Sequence, residues 1–207
     1  MSLARTGPTA WGRFALFAEC LLTGVWIALA ALPLVTYPAA LAAGARHLRR
    51  HLAHERGGWR EFTADFRAAV GGGWVVGLAG WAAVAVVWFD LRAVRAGLPG
   101  GPAVGAVGVL ALLGAAAVLL RAAALWRPGV SWRPLLARAG RHTVRDPAGS
   151  FLLIGGLAVV VFSAWFSTPL AIPVLGAVAA AAVAVEERHR HGLAAIENLA
   201  LLGDRMP

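Results

Sequence analysis

Five long segments of this chain are apolar and almost free of charge, and polar segments separate them. They cover residues 14–35, 70–89, 102–120, 150–166 and 170–185. A helix of about 20 residues crosses a hydrocarbon core about 30 Å thick, and backbone groups in lipid must be paired within a helix or a closed barrel. The segments lack the alternation of barrel strands. The pattern predicts an all-α polytopic membrane protein, a bundle of five transmembrane helices in one domain over 1–207.

The last apolar region is too long for one crossing. Residues 147–185 would form a helix about 58 Å long, nearly twice the thickness of the hydrocarbon core. Pro169 disfavours helical geometry at Thr168, which predicts that the chain turns back there and forms spans four and five. In the alternative, the last apolar region is re-entrant and the chain crosses four times.

The arginines set the predicted orientation. All 19 basic residues are arginine, against 10 acids, and 59% of the residues are hydrophobic. Fifteen arginines follow span one, follow span three or lie in the C-terminal tail, whereas four precede span one or follow span two. Because arginine-rich loops stay in the cytoplasm, the sequence predicts an N-terminus outside and a C-terminus inside the cell.

The polar segment 54–70 is amphipathic. Trp59, Phe62 and Phe66 recur on one face at helical spacing, which predicts a cytoplasmic interfacial helix. This helix either lies on the membrane and bridges spans one and two, or docks a cytoplasmic partner.

A second basic segment precedes span four. Arg138, Arg141 and Arg145 follow helical spacing there, and each arginine near an anionic surface contributes about 1 kcal/mol of binding. The segment therefore predicts contact with anionic lipid at the cytoplasmic face, with an acidic protein or a phosphorylated ligand as the alternative. Nucleic acid is not expected as a partner, because no recognition module accompanies the charge.

Glu19 is the single charged residue of span one. A carboxylate in hydrocarbon costs about 2.5 kcal/mol or more and seeks a partner. With the N-terminus outside, Glu19 shares its depth with the far end of span two, which predicts an outer polar cluster with Asp90, Arg92 and Arg95. This cluster is either a satisfied interfacial ion pair or a site for an ion or solute.

The residues that carry metal and enzyme chemistry are few. His47, His51 and His54 share a helical face, but the arginines around them oppose metal binding, so no metal is predicted. Cys20 is the one cysteine, which excludes an internal disulfide. No catalytic or cofactor-binding motif occurs, and the sequence predicts a protein that is not an enzyme and has no cofactor.

A hinge is predicted at the end of span one. Pro33 and Pro38 flank Thr36, so the helix cannot run through unbroken. The carbonyl groups that lose their helical partners can be satisfied by the threonine hydroxyl or by water.

Three features occur together in the first part of the chain: a Pro-x-x-Thr turn that starts at Pro33, a Phe-x-x-x-Phe-Arg pattern that starts at Phe62, and a tryptophan-rich second span ending in Asp90. In these features the chain resembles the YesL-like family of bacterial membrane proteins. The resemblance covers the first 90 residues best. It implies a location in a bacterial plasma membrane and an accessory role in carbohydrate uptake, beside sugar ABC importers.

Two functions follow as expectations. The first is a non-enzymatic accessory or regulatory protein that docks through its cytoplasmic amphipathic helices. The second is a small-solute transporter or channel with a polar path near Glu19, Asp90 and Arg92.

Overall fold

Helices are the regular secondary structure of the described part of the chain. The computed structural model describes residues 10–53, 55, 57–97, 100–166, 174, 176–186 and 188, with side chains for all of these except 10–17 and 164–166. No strand occurs in these ranges, which confirms the all-α class. The helices are α1 (Ala10–Ala30), α2 (Tyr37–Leu52), α3 (Trp59–Arg95), α4 (Gly101–Leu125), α5 (Trp132–Arg145), α6 (Pro147–Phe166) and α7 (Gly176–Glu186).

Among the described residues, two helices are long and apolar enough to cross a membrane, α3 with 37 residues and α4 with 25. They contain the predicted spans 70–89 and 102–120. A third candidate arises if α5 and α6, which meet at a bend of 107°, count as one broken span. Spans one and five correspond to shorter described apolar helices, at Ala18–Ala30 and Gly176–Glu186. The expected turn at Thr168 and Pro169 lies outside the described residues.

The turn between α1 and α2 falls at the predicted hinge. α1 ends at Ala30, and α2 begins at Tyr37 with Pro38 in its first turn. The Thr36 hydroxyl donates a hydrogen bond to the carbonyl of Ala30 at 2.7 Å, which satisfies a carbonyl left free by the break. Pro33 lies within the turn.

α2 runs back along α1. Ile27 packs against Gly44, and Glu19 meets His47, so the two helices are antiparallel. The start of α1 and the end of α2 therefore lie at the same end of the bundle.

The basic segment after span one is central to the fold, although the sequence analysis treats it as a cytoplasmic loop. Ala39, Ala40, Ala42 and Ala43 of α2 are each 0% exposed. Their small side chains allow close packing against α1, α3 and α4. The burial of these alanines was not predicted, because helix packing leaves no mark on a count of charges.

The amphipathic segment and span two form one helix. The sequence predicts a separate interfacial helix over 54–70, but α3 continues without a break from Trp59 to Arg95, about 55 Å at 1.5 Å per residue. The glycines in the middle do not interrupt it, because Gly73 packs against Ala39 of α2 and Trp132 of α5. Trp132 also donates to the carbonyl of Ala69 at 3.0 Å.

The two ends of the bundle differ in their charges. We call the end at the start of α3, which holds Arg46, Arg50 and Arg127, the arginine end. The opposite end, where α3 turns into α4, is the distal end and holds Arg92 and Arg95.

Candidate functional site

A pair of ionisable side chains, one buried and one partly exposed, joins α1 and α2. Nε2 of His47 lies 2.5 Å from Oε1 of Glu19, and His47 is 1% exposed. The ring of Trp26 meets the imidazole edge-on at 4.9 Å, and Phe62 packs beside Trp26. The pair gives Glu19 the partner that a carboxylate among apolar helices requires.

The position of Glu19 contradicts the outer cluster predicted with Asp90, Arg92 and Arg95. Through His47 and Trp26, Glu19 lies at the level of Phe62 near the start of α3. Arg92 follows Phe62 by 30 residues of unbroken helix, about 45 Å along the axis. The cluster prediction was wrong because α2 returns along α1 and brings His47 to Glu19.

The distal residues make contacts of their own. The guanidinium of Arg92 stacks on the ring of Trp88 at 4.9 Å, a cation–π contact. Asp90 faces Gly108 of α4, and Arg95 is exposed. The structure therefore does not join the residues of the predicted polar path.

The three histidines of the predicted helical face do not form a cluster among the described residues. His47 pairs with Glu19, and His54 lies outside the described residues. Within the described part of the chain, no group of three or more histidine, cysteine or acidic side chains could hold a metal ion.

Asp65 organises the arginines of α2, which the sequence analysis did not anticipate. This carboxylate is 4% exposed. Its Oδ2 atom lies 3.1 Å from Nε of Arg46 and 2.8 Å from Nη1 of Arg50. Asp65 lies three residues after Phe62, and this spacing on the buried face of α3 was the available signal.

A second buried network ties α4 to the junction of α5 and α6. Arg121 is 1% exposed, and its Nη2 atom lies 3.0 Å from Oδ2 of Asp146. The same nitrogen donates to the hydroxyl of Ser150 at 3.3 Å. Arg121 directly follows span three in the sequence, and such a position by itself indicates an arginine in a cytoplasmic loop.

Asp146 also caps α6. Its Oδ1 atom accepts a hydrogen bond from the backbone N–H of Gly149 at 3.0 Å. This hydrogen bond, with the nearby Arg121 guanidinium, lowers the pKa of Asp146 below its ordinary value, although partial burial acts in the opposite direction. The folded protein therefore favours the ionised carboxylate.

The aromatic face predicted for docking points inward. Phe62 is 1% exposed, Phe66 packs at the edge of the apolar core, and Trp59 stacks on Phe62 at 5.8 Å. Trp59 is 51% exposed and is the accessible member of this set. A docking site built on Phe62 and Phe66 is therefore excluded, because the bundle itself occupies that face.

The arginine face of α5 points outward. Trp132, Leu135 and Ala139 are buried against the bundle and hold the helix in place. The other face exposes the predicted docking arginines, Arg138, Arg141 and Arg145. α5 thus presents a row of cations on a fixed support.

A cavity of about 620 Å³ lies between the α1–α2 hairpin, α3, α4, α5 and α6. Its walls include Ile27, Leu41, Trp81 and Leu119, with Tyr37 contributing a hydroxyl. Its described lining holds no charged side chain, so this cavity offers no polar path for a solute.

Comparisons with protein-family models, with curated proteins and with solved structures find no match to this chain. The resemblance to the YesL-like family stays a prediction.

Proposed function

We propose that this chain is a non-enzymatic accessory or regulatory protein of a bacterial plasma membrane and that it acts through α5, which packs against the last turns of α4 at the arginine end. The observation that carries the proposal is α5, whose apolar face is fixed in the bundle while Arg138, Arg141 and Arg145 are exposed. Such a helix binds an acidic surface, either anionic lipid headgroups or an acidic partner protein.

We place the arginine end in the cytoplasm, following the arginine bias. The antiparallel packing of α1 and α2 then puts the start of α1 on the cytoplasmic side. This arrangement replaces the predicted topology in which span one begins outside the cell.

Single cysteines test this orientation in a Cys20→Ser background. In intact cells, a membrane-impermeant maleimide should label Ala96→Cys at the distal end. Ala10→Cys and Ala53→Cys, at the start of α1 and the end of α2, should react only after permeabilisation. Labelling of Ala10→Cys in intact cells would instead support an external start of α1 and would contradict the hairpin orientation.

The resemblance to the YesL-like family supplies the proposed partner, the membrane subunits of a sugar ABC importer. The test is co-purification after detergent extraction. A triple variant, with Arg138, Arg141 and Arg145 each changed to glutamate, should recover less than about one tenth of the importer that the native chain recovers, because complementary charge turns into repulsion.

The matched control changes Arg92 and Arg95 to glutamate, because both are exposed at the distal end. This control should recover the importer at the native level. Equal recovery by the α5 variant would remove α5 as the docking surface, and recovery of no importer by the native chain would overturn the proposed partner.

A further inference from the structure

A cleft lined by four arginines opens at the arginine end. Its volume is about 530 Å³. Helix α2 supplies Arg46, Arg49 and Arg50, the segment after α4 supplies Arg127, and α7 supplies Val183. Segments far apart in the sequence therefore meet around one basic concavity. The exposed arginines of α5 do not line it.

Contacts with the bundle fix three of the four cleft arginines. Arg46 and Arg50 share the Asp65 carboxylate, and Nη2 of Arg49 donates to the carbonyl of Trp126 at 2.8 Å. Because one buried carboxylate is divided between two guanidinium groups, it does not neutralise both. Glu55 is the acid among the described lining residues, so positive charge remains in surplus.

Two buried donors behind the cleft have incomplete hydrogen bonding. Nε of Arg46 and Nη1 of Arg50 lie within ion-pair distance of Asp65, but neither contact has the alignment of a hydrogen bond. Such donors in a buried site favour a further acceptor.

We infer that this cleft binds a phosphate monoester group. Guanidinium groups match the geometry of phosphate oxygens, with two parallel N–H donors on each fork. The cleft has the volume of sites that hold small ligands, and Leu52, Ala53 and Val183 provide apolar contacts for the carbon part. A soluble phosphate ester and a lipid with a phosphate monoester headgroup share this chemistry. The inference goes beyond the docking proposed for α5 and does not depend on it.

Binding is tested with the full chain in a neutral detergent at fixed salt. Calorimetric titration with inorganic phosphate and with phenyl phosphate measures soluble ligands. Native mass spectrometry with phosphatidic acid, against phosphatidylcholine, measures lipid binding. Saturable binding of the soluble probes would identify a soluble ester as the source of the bound phosphate group. Selective retention of phosphatidic acid alone would identify a lipid headgroup as that source. Either result supports the inference.

The decisive variant is Arg127→Gln, because Arg127 is exposed and its loss leaves the packing intact. It should weaken binding about tenfold, as expected for one charge-assisted contact. The matched control is Arg133→Gln, which removes another exposed charge, on α5 and outside the cleft, and should change binding less than about twofold. Equal weakening by both variants, or no binding of any probe, would overturn the inference.

Discussion

Replacement of Asp146 by alanine should lower the free energy of unfolding by about 3 kcal/mol, because it leaves the guanidinium of Arg121 buried without its counter-ion. Arg121 is 1% exposed, so its guanidinium has little access to water in place of the lost carboxylate. The same substitution removes the hydrogen bond that caps α6 at Gly149, which adds about 1 kcal/mol. Denaturation in detergent, followed by tryptophan fluorescence, measures the change.

Two further variants separate the buried ion pair from other effects. Arg188 lies 4.0 Å from Asp146 but its side chain is 66% exposed, so Arg188→Gln should change stability by less than about 0.5 kcal/mol. The double variant Arg121→Met with Asp146→Ala should recover part of the loss, since no unpaired charge stays buried. A double variant less stable than Asp146→Ala would contradict this explanation.

The Asp146 network also has a predictable response to pH. The pKa of Asp146 is lowered in the folded state. The ionised carboxylate therefore contributes to the free energy of unfolding at pH values above the ordinary carboxyl pKa near 3.8. The contribution is lost as the pH falls through the lower folded-state value. The stability difference between the native chain and Asp146→Asn should therefore narrow below about pH 4.

Gly77→Leu should lower the free energy of unfolding by about 3 kcal/mol, the upper end of the typical range for overpacked cores. A side chain at Gly77 would collide with the backbone carbonyl of Val35 in the α1–α2 turn. A backbone atom cannot rotate away as a side chain can, so the hairpin must move from α3. The hydrogen bond from the Trp81 indole to the Leu34 carbonyl, 2.9 Å long, would be lost as well.

Gly71→Leu is the matched control on the same helix. Gly71 is exposed, and an added Cβ meets no atom within 4 Å. Leucine also favours a helix over glycine by about 1 kcal/mol, so this variant should be at least as stable as the native chain. Equal destabilisation by the two variants would show that the α1–α2 turn does not pack on α3 as described.

Hydropathy located α3 and α4 well, because their exposed residues, such as Val86 and Leu110, are as apolar as their packed ones. Such helices are recognisable without knowledge of their neighbours. Helix α2 could not be recognised in this way. Its alanines are buried by helix packing, while Arg46, Arg49 and Arg50 make the same segment look like a cytoplasmic loop.

The candidate sites were predictable where a surface pattern suffices, as for the arginine row of α5. The buried pairs were not predictable, because each joins residues distant in the sequence. Glu19 and His47 are 28 residues apart, and Arg121 and Asp146 are 25. A lone acid in an apolar span indicates that a partner exists, but the direction of the following helix determines which residue that is.

The unbroken length of α3 links the membrane to the cleft. At 1.5 Å per residue, the apolar stretch 70–89 of this helix is enough to cross a hydrocarbon core of about 30 Å, so residues 59–69 extend the same helix past that length. Asp65 lies on α3, whereas Arg46 and Arg50 belong to α2. Because Ala39 of α2 packs against Gly73 of α3, tilting of α3 would carry α2 with it, and the carboxylate and both guanidinium groups would move as one unit.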